Sequence, residues 1–158
     1  MTTEKFTNAS LRNNTVWIES PEFELLCFNL ARELLGKFEP IPDFVTRFPG
    51  VLESCLETPK QTFGDMLLYP TLTDQASIFF YLLVKNHPFQ NGNKRIALTT
   101  LLVFLALNKK WLKVTDLDLY NLAVEVANSK PKEKTKVLKF VRNILKENLI
   151  QFPKTRKS

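Results

Sequence analysis

Residues 74–107 read DQASIFFYLLVKNHPFQNGNKRIALTTLLVFLAL: two apolar runs separated by the nine residues HPFQNGNKR, His87 to Arg95. In the first run, apolar side chains nearly encircle a 3.6-residue helix, which predicts a buried central helix opening at Thr73-Asp74. It stops at His87-Pro88, because proline lacks the N–H that a continuing helix needs. The second run, from about Lys94 to Leu107, is again almost wholly apolar. Two helices without a polar face must be covered by others, so the fold class expected is all-α, in one domain.

The flanking segments supply that cover. Ser20-Pro21 reads as an N-cap followed by proline at the first helical position, opening a helix through Phe23, Leu26, Leu30 and Leu34 to a stop at Gly36. A Pro-rich connection runs from Phe38 to Pro49-Gly50, and a short helix, VLESCLE, ends at Thr58-Pro59. Within Lys60–Tyr69, Gly64-Asp65 lies between two short arms, the signature of a single small β-hairpin with a primed turn. Thr115 with Asp118 resembles a capping box opening a helix to about Asn128. Ser129-Lys130-Pro131 restarts a last amphipathic helix through Val137, Phe140, Val141, Ile144 and Leu145. The expected organisation is an extension over 1–19, a helical core over 20–128 with its hairpin at about 60–69, a basic helix over 129–150 and a tail over 151–158.

Composition excludes several chemistries. The four glycines, Gly36, Gly50, Gly64 and Gly92, are never closer than 14 residues, so dinucleotide fingerprints and P-loops are absent. One histidine excludes paired-His zinc motifs, and Cys27 and Cys55 are too far apart for CxxC patterns. The longest apolar-rich stretch, Ile96 to Leu107, is 12 residues, whereas about 20 are needed to cross a bilayer. No apolar leader stands in the first 20 residues. The expectation is a cytoplasmic protein with reduced core cysteines and no membrane partner. Residues 130–158 carry 10 of the 22 Lys/Arg and 2 of the 16 acids. Such a basic end reads either as a solvated helix face or as a surface for nucleic acid or an acidic protein.

The chemistry is compressed into HPFQNGNKR. The sole imidazole stands at a helix end, and Phe89 can anchor the loop in the core. Asn91-Gly92-Asn93 forms a tight turn whose glycine allows close approach by a ligand. The turn feeds a helix N-terminus, whose free N–H groups and dipole make an anion site. Lys94 and Arg95 have the wrong charge for that end of a dipole unless an anion binds between them and the N–H groups. Each piece also has a plain reading as cap, turn or core; the joint occurrence points to phosphate handling.

HPFQNGNKR resembles the signature of the Fic/Doc (Fido) family, His-x-Phe-x-acid-Gly/Ala-Asn-Gly/Lys-Arg. Lys94 at the eighth place, PGVLES before the hairpin, and IAL with FLALN after the motif resemble the death-on-curing (Doc) branch. The resemblance spans roughly residues 20–128 and implies a helical domain that moves part of a nucleoside triphosphate such as ATP onto a protein hydroxyl. It implies His87 as general base, a task suited to an imidazole near neutral pH. Gly92, Asn93 and the Lys94 backbone match the anion hole. Arg95 matches the guanidinium that forks onto phosphate oxygens, and Phe89 the structural anchor. The hairpin, with Thr62, Phe63, Gly64 and Asp65, matches the flap that aligns a target segment at its strand edge.

The chain departs from the family pattern twice. Leu98 stands where many adenylylating members carry a second arginine; with Lys94 this resembles the Doc branch and favours γ-phosphoryl transfer over adenylylation. Asn91 stands where an acidic residue holds Mg²⁺, and an amide oxygen can ligate a hard cation only without that charge. Partial matches to a self-inhibiting helix occur at Ser20–Glu24 and Asn143–Asn148. The Doc resemblance instead implies a separate antitoxin, and a translation factor such as elongation factor Tu as substrate. Two other readings stay open: a protein adenylyltransferase, and a weakly active or non-enzymatic adaptor or nucleic-acid binder using residues 130–158. The last ranks lowest, since Phe140 and Phe152 are the only aromatics in that stretch.

Overall fold

A computed structural model describes residues 14–37 and 39–154. Most of the expected extension, Phe38 in the connection and the end of the tail lie outside the described residues.

The fold is mainly helical, as expected. Helix α1 comprises Ser20–Glu22, a π-helical turn Phe23–Phe28 and Asn29–Leu35. After the connection come α2 (Val51–Glu57) and the hairpin strands β1 (Thr62–Phe63) and β2 (Met66–Leu67). Then follow α3 (Leu72–Lys85), α4 (Asn93–Leu107), β3 (Lys110–Leu112), α5 (Asp116–Asn128), α6 (Lys134–Asn148) and β4 (Leu149–Gln151).

Helices α3 and α4 pack against each other at the centre. From Thr73 to Val84 every residue except Asp74 is buried, so α3 is surrounded as its sequence predicts. It opens two residues earlier than expected, because Thr71 is the cap. The Thr71 hydroxyl accepts from the Asp74 N–H at 3.1 Å while the Asp74 carboxylate accepts from the Thr71 N–H at 3.3 Å. Inside α4, the Thr99 and Thr100 hydroxyls donate to the carbonyls of Arg95 (2.9 Å) and Ile96 (2.7 Å). Two polar residues thereby enter an apolar helix with their bonds satisfied.

Helix α1 corrects two expectations. Its cap is Glu19 rather than Ser20, through the Glu22 side chain receiving the Glu19 N–H at 2.7 Å. Its inward face is Phe23, Cys27, Phe28 and Ala31, whereas Leu26 and Leu34 are 43% and 63% exposed. The π turn is the cause: its wider turn puts residues five apart, Phe23 and Phe28, on one face and rotates the rest of the helix out of the 3.6-residue register.

The Lys60–Tyr69 segment is a hairpin with Thr62 opposite Leu67 and Phe63 opposite Met66. Gly64 has φ +60° while Asp65 does not have positive φ, the pattern of a type II′ turn. The expectation of a single hairpin fails. Strands β3 and β4 pair antiparallel, Trp111 opposite Ile150, so the last helix ends at Asn148 and the chain returns as a strand. Phe152 then meets Trp111 edge-on with ring centroids 5.7 Å apart. Near the other end, Trp17 stacks on Phe104 at 5.4 Å. The Asn108 amide accepts from the Val16 N–H at 2.7 Å and donates to the Val16 carbonyl at 3.0 Å, taking the place of a neighbouring strand.

Cys27 and Cys55 are free and buried, and burial pushes their thiols up to about 12 and about 11. Among the described residues, no helix is long and apolar enough to cross a membrane.

Candidate active site

Helix α3 ends at Lys85 with Asn86 as its C-cap, and His87 follows with φ 48°. This is the position after a helix C-cap where glycine is usual, because a Cβ in the left-handed region costs about 1–2 kcal/mol. Pro88 narrows the choices of His87 further. An exposed imidazole held in such a conformation is a feature to be explained by what it does rather than by what it stabilises.

The loop after His87 is braced from within and from behind. Asn93 closes it: its Oδ1 accepts from the Phe89 N–H at 3.0 Å and its Nδ2 donates to the Phe89 carbonyl at 2.8 Å. Asn93 Nδ2 also lies 3.5 Å from His87 Nδ1, a long contact that orients the ring. Phe89 is buried among Phe23, Phe28 and Phe44, with ring centroids 6.1, 5.2 and 6.1 Å away. The π turn of α1 therefore supplies two of the three rings that receive it. From behind, the Phe48 N–H donates to the Pro88 carbonyl at 3.0 Å.

Gly92 caps α4 with φ +81°. A Cβ there would lie 2.9 Å from Ile41 Cγ1 and 3.3 Å from Arg95 Nη2, so backbone conformation and crowding both require glycine. The N–H groups of Asn93, Lys94 and Arg95 begin α4 with no helical carbonyl behind them. The Gly92 N–H is received by Asn91 Oδ1 at 2.8 Å, and a ligand that wants this donor must displace the amide. Lys94 is exposed, with no hydrogen bond or ion pair among the described residues. Arg95 is partly committed: its Nη1 donates to the Leu35 carbonyl at 2.8 Å and to the Glu39 carbonyl. Its Nη2 is buried without a hydrogen-bond partner.

A cleft of about 240 Å³ brings together His87, Asn91, Gly92, Asn93, Lys94 and Arg95, joined by Glu39, Val84, Gln90 and Ala127. Phe89 lies beneath it in the core. Thr62, Phe63, Gly64 and Asp65 do not line the cleft; they are exposed on the separate hairpin, where Phe63 is 81% exposed. Neither candidate self-inhibitory stretch lines the cleft.

Glu39 is the residue that sequence reasoning missed. Its carboxylate accepts from Asn91 Nδ2 at 3.0 Å, and its Oε2 lies 3.9 Å from Arg95 Nη2. It is 52 residues from Asn91, and no local pattern announces a contact of that span. Among the described residues no group of three His, Cys, Asp or Glu side chains could form a protein-only metal cage. The donors present instead suit a hard cation shared with phosphate oxygens.

These features define a class: mainly helical proteins in which the N-terminus of one helix opens into a cleft beside an exposed imidazole. The Fic/DOC family model matches residues 24–105, just over half of the chain. The protein belongs to the Fic/DOC family, whose members transfer nucleotide-derived groups to proteins and use nucleoside triphosphates, generally with Mg²⁺. Comparison with curated proteins and with solved structures returned no match.

Proposed function

We propose that this protein is a Doc-like transferase that moves the γ-phosphoryl group of a nucleoside triphosphate onto a Ser or Thr hydroxyl of a protein, a translation factor such as elongation factor Tu being the substrate class. The observation that carries the reading is the cleft, which gathers the only imidazole, the free N–H groups of α4 and two cations around one volume.

In this reading an unprotonated ring nitrogen of His87 takes the hydroxyl proton as the oxygen attacks the γ-phosphorus. The bond from the γ-phosphorus to the bridging oxygen breaks, and the nucleoside diphosphate leaves with that electron pair. The α4 N–H groups, Lys94 and Arg95 Nη2 hold phosphate oxygens where charge is shared between attacking and leaving groups. Asn91 would help to hold a Mg²⁺ ion, whose chemistry there would be to neutralise phosphate charge. The hairpin, with the exposed strand edges of β1 and β2, aligns the target segment.

The same site would carry adenylylation if the nucleotide lay in the opposite direction, with attack at the α-phosphorus and pyrophosphate leaving. Leu98 favours the first direction, because no second arginine stands one turn after Arg95 to hold an extended triphosphate tail. Control by a separate antitoxin in the cytoplasm completes the reading. Labelled ATP tests it: label retained from the γ position supports phosphoryl transfer, whereas label retained from the α position with pyrophosphate release shows adenylylation. His87→Ala is expected to abolish transfer. Equal transfer by that variant would remove the imidazole from the mechanism.

A further inference from the structure

Asn91 leaves the motif without a negative charge, yet the cleft is not without one. Glu39 is the only acidic residue among those lining it, and one of its carboxylate oxygens meets the Asn91 amide at 3.0 Å. The placement is built. The Glu39 carbonyl is gripped by Arg95 Nη1, which also holds the end of α1 through Leu35. Ile41, 2% exposed, wedges the following residues beneath Gly92. The backbone of Glu39 is thus held from both sides while its side chain reaches over the turn. A magnesium–nucleotide site typically uses one or two carboxylates together with substrate phosphates and water. The motif offers none of these carboxylates, and Glu39 stands beside the position where one is missing.

We propose that Glu39, delivered by the α1–α2 connection, is the carboxylate ligand of the nucleotide-bound divalent cation, with Asn91 as its neutral neighbour. The inference rests on the nucleotide-transfer reading of this cleft. It makes the metal site composite: the phosphate half is carried by the loop and α4, and the charge half by a segment 52 residues away in sequence. Ion pairing with Arg95 is then the resting contact, loose at 3.9 Å.

The test uses Mn²⁺ as a spin probe and a fluorescent ATP analogue, on wild type, Glu39→Gln, Asn91→Asp and the double variant. In EDTA, wild type and Glu39→Gln are expected to bind the analogue within about twofold of each other, because the phosphate donors are untouched. Mn²⁺ bound in the presence of the analogue is expected to weaken about tenfold or more in Glu39→Gln. The double variant is expected to recover it, since the charge returns to the motif. Unchanged Mn²⁺ affinity in Glu39→Gln would overturn the inference. So would tighter analogue binding by that variant in EDTA and Mn²⁺ alike, which would make Glu39 a competitor of phosphate at Arg95. A wild type that binds no analogue in either medium would overturn the nucleotide reading itself, and this inference with it.

Discussion

Replacing Asn93 with alanine separates two roles that the motif alone leaves merged. As a contact in the anion hole, the side chain would matter for ligand binding and little for stability. The structure instead shows both ends of its amide spent on the Phe89 backbone, at 3.0 and 2.8 Å. Truncation leaves a donor and an acceptor of a buried residue without partners, at about 1–1.5 kcal/mol each, or about 2–3 kcal/mol together. The better helix propensity of alanine returns only a few tenths of a kcal/mol. At about 2–4 °C per kcal/mol for a chain of this size, the melting temperature should fall by about 5–10 °C. Asn93→Asp keeps an acceptor for the Phe89 N–H but sets a carboxylate against the Phe89 carbonyl, so it should rescue little. Thermal and urea unfolding followed by circular dichroism read both variants. If Asn93→Ala unfolds within about 0.5 kcal/mol of wild type yet loses nucleotide binding, the side chain is a ligand contact and the bracing account is wrong.

Three further outcomes follow from the same geometry. His87→Gly should abolish transfer while raising stability by about 1 kcal/mol, because it relieves the left-handed φ; a loss of stability in urea unfolding would show that the imidazole holds the loop. Gly92→Ala should cost more than the 1–2 kcal/mol expected of its positive φ, because its Cβ also crowds Ile41; a melting curve like that of wild type would refute the crowding. For Asp74, burial alone would raise the carboxyl, but the Thr71 hydrogen bonds and the Arg142 guanidinium at 3.2 Å outweigh it and hold it below its ordinary value. Its contribution is therefore present in full above the ordinary carboxylate range and is lost as pH falls through the lowered value. The stability gap between wild type and Asp74→Asn, about 1 kcal/mol or less, should be constant near neutrality and shrink below about pH 4. A gap that widens on acidification would contradict that assignment.

Much of the fold is local enough to be legible in sequence. The all-round apolarity of α3, the Thr115–Asp118 cap and the Gly64-Asp65 turn each act within a few residues, so pattern and structure agree. Helix α4, by contrast, leaves Leu98, Leu102, Val103 and Ala106 half-buried and Leu107 exposed. The candidate site is legible to the same extent: the nine consecutive residues HPFQNGNKR hold seven of the residues that line the cleft. The misses share a range. Paired strands β3 and β4 are about 40 residues apart, and each is too short to signal itself. The inward face of α1 depends on a π turn, which the aromatic cluster around Phe89 accommodates and a 3.6-residue pattern does not foresee.

The loop and its chemistry are thus properties of consecutive residues: an imidazole just before the proline that follows one helix, and two cations just after the glycine that starts the next. The charge of the site is a different kind of property. Whether the missing carboxylate at Asn91 leaves the cleft without one depends on where a distant connection lies. Arg95, clamped to the Leu35 and Glu39 carbonyls, and Ile41, wedged under Gly92, place Glu39 against that amide. Such a juxtaposition depends on how helices pack and carries no periodicity or spacing of its own, so it became visible when the chain was folded.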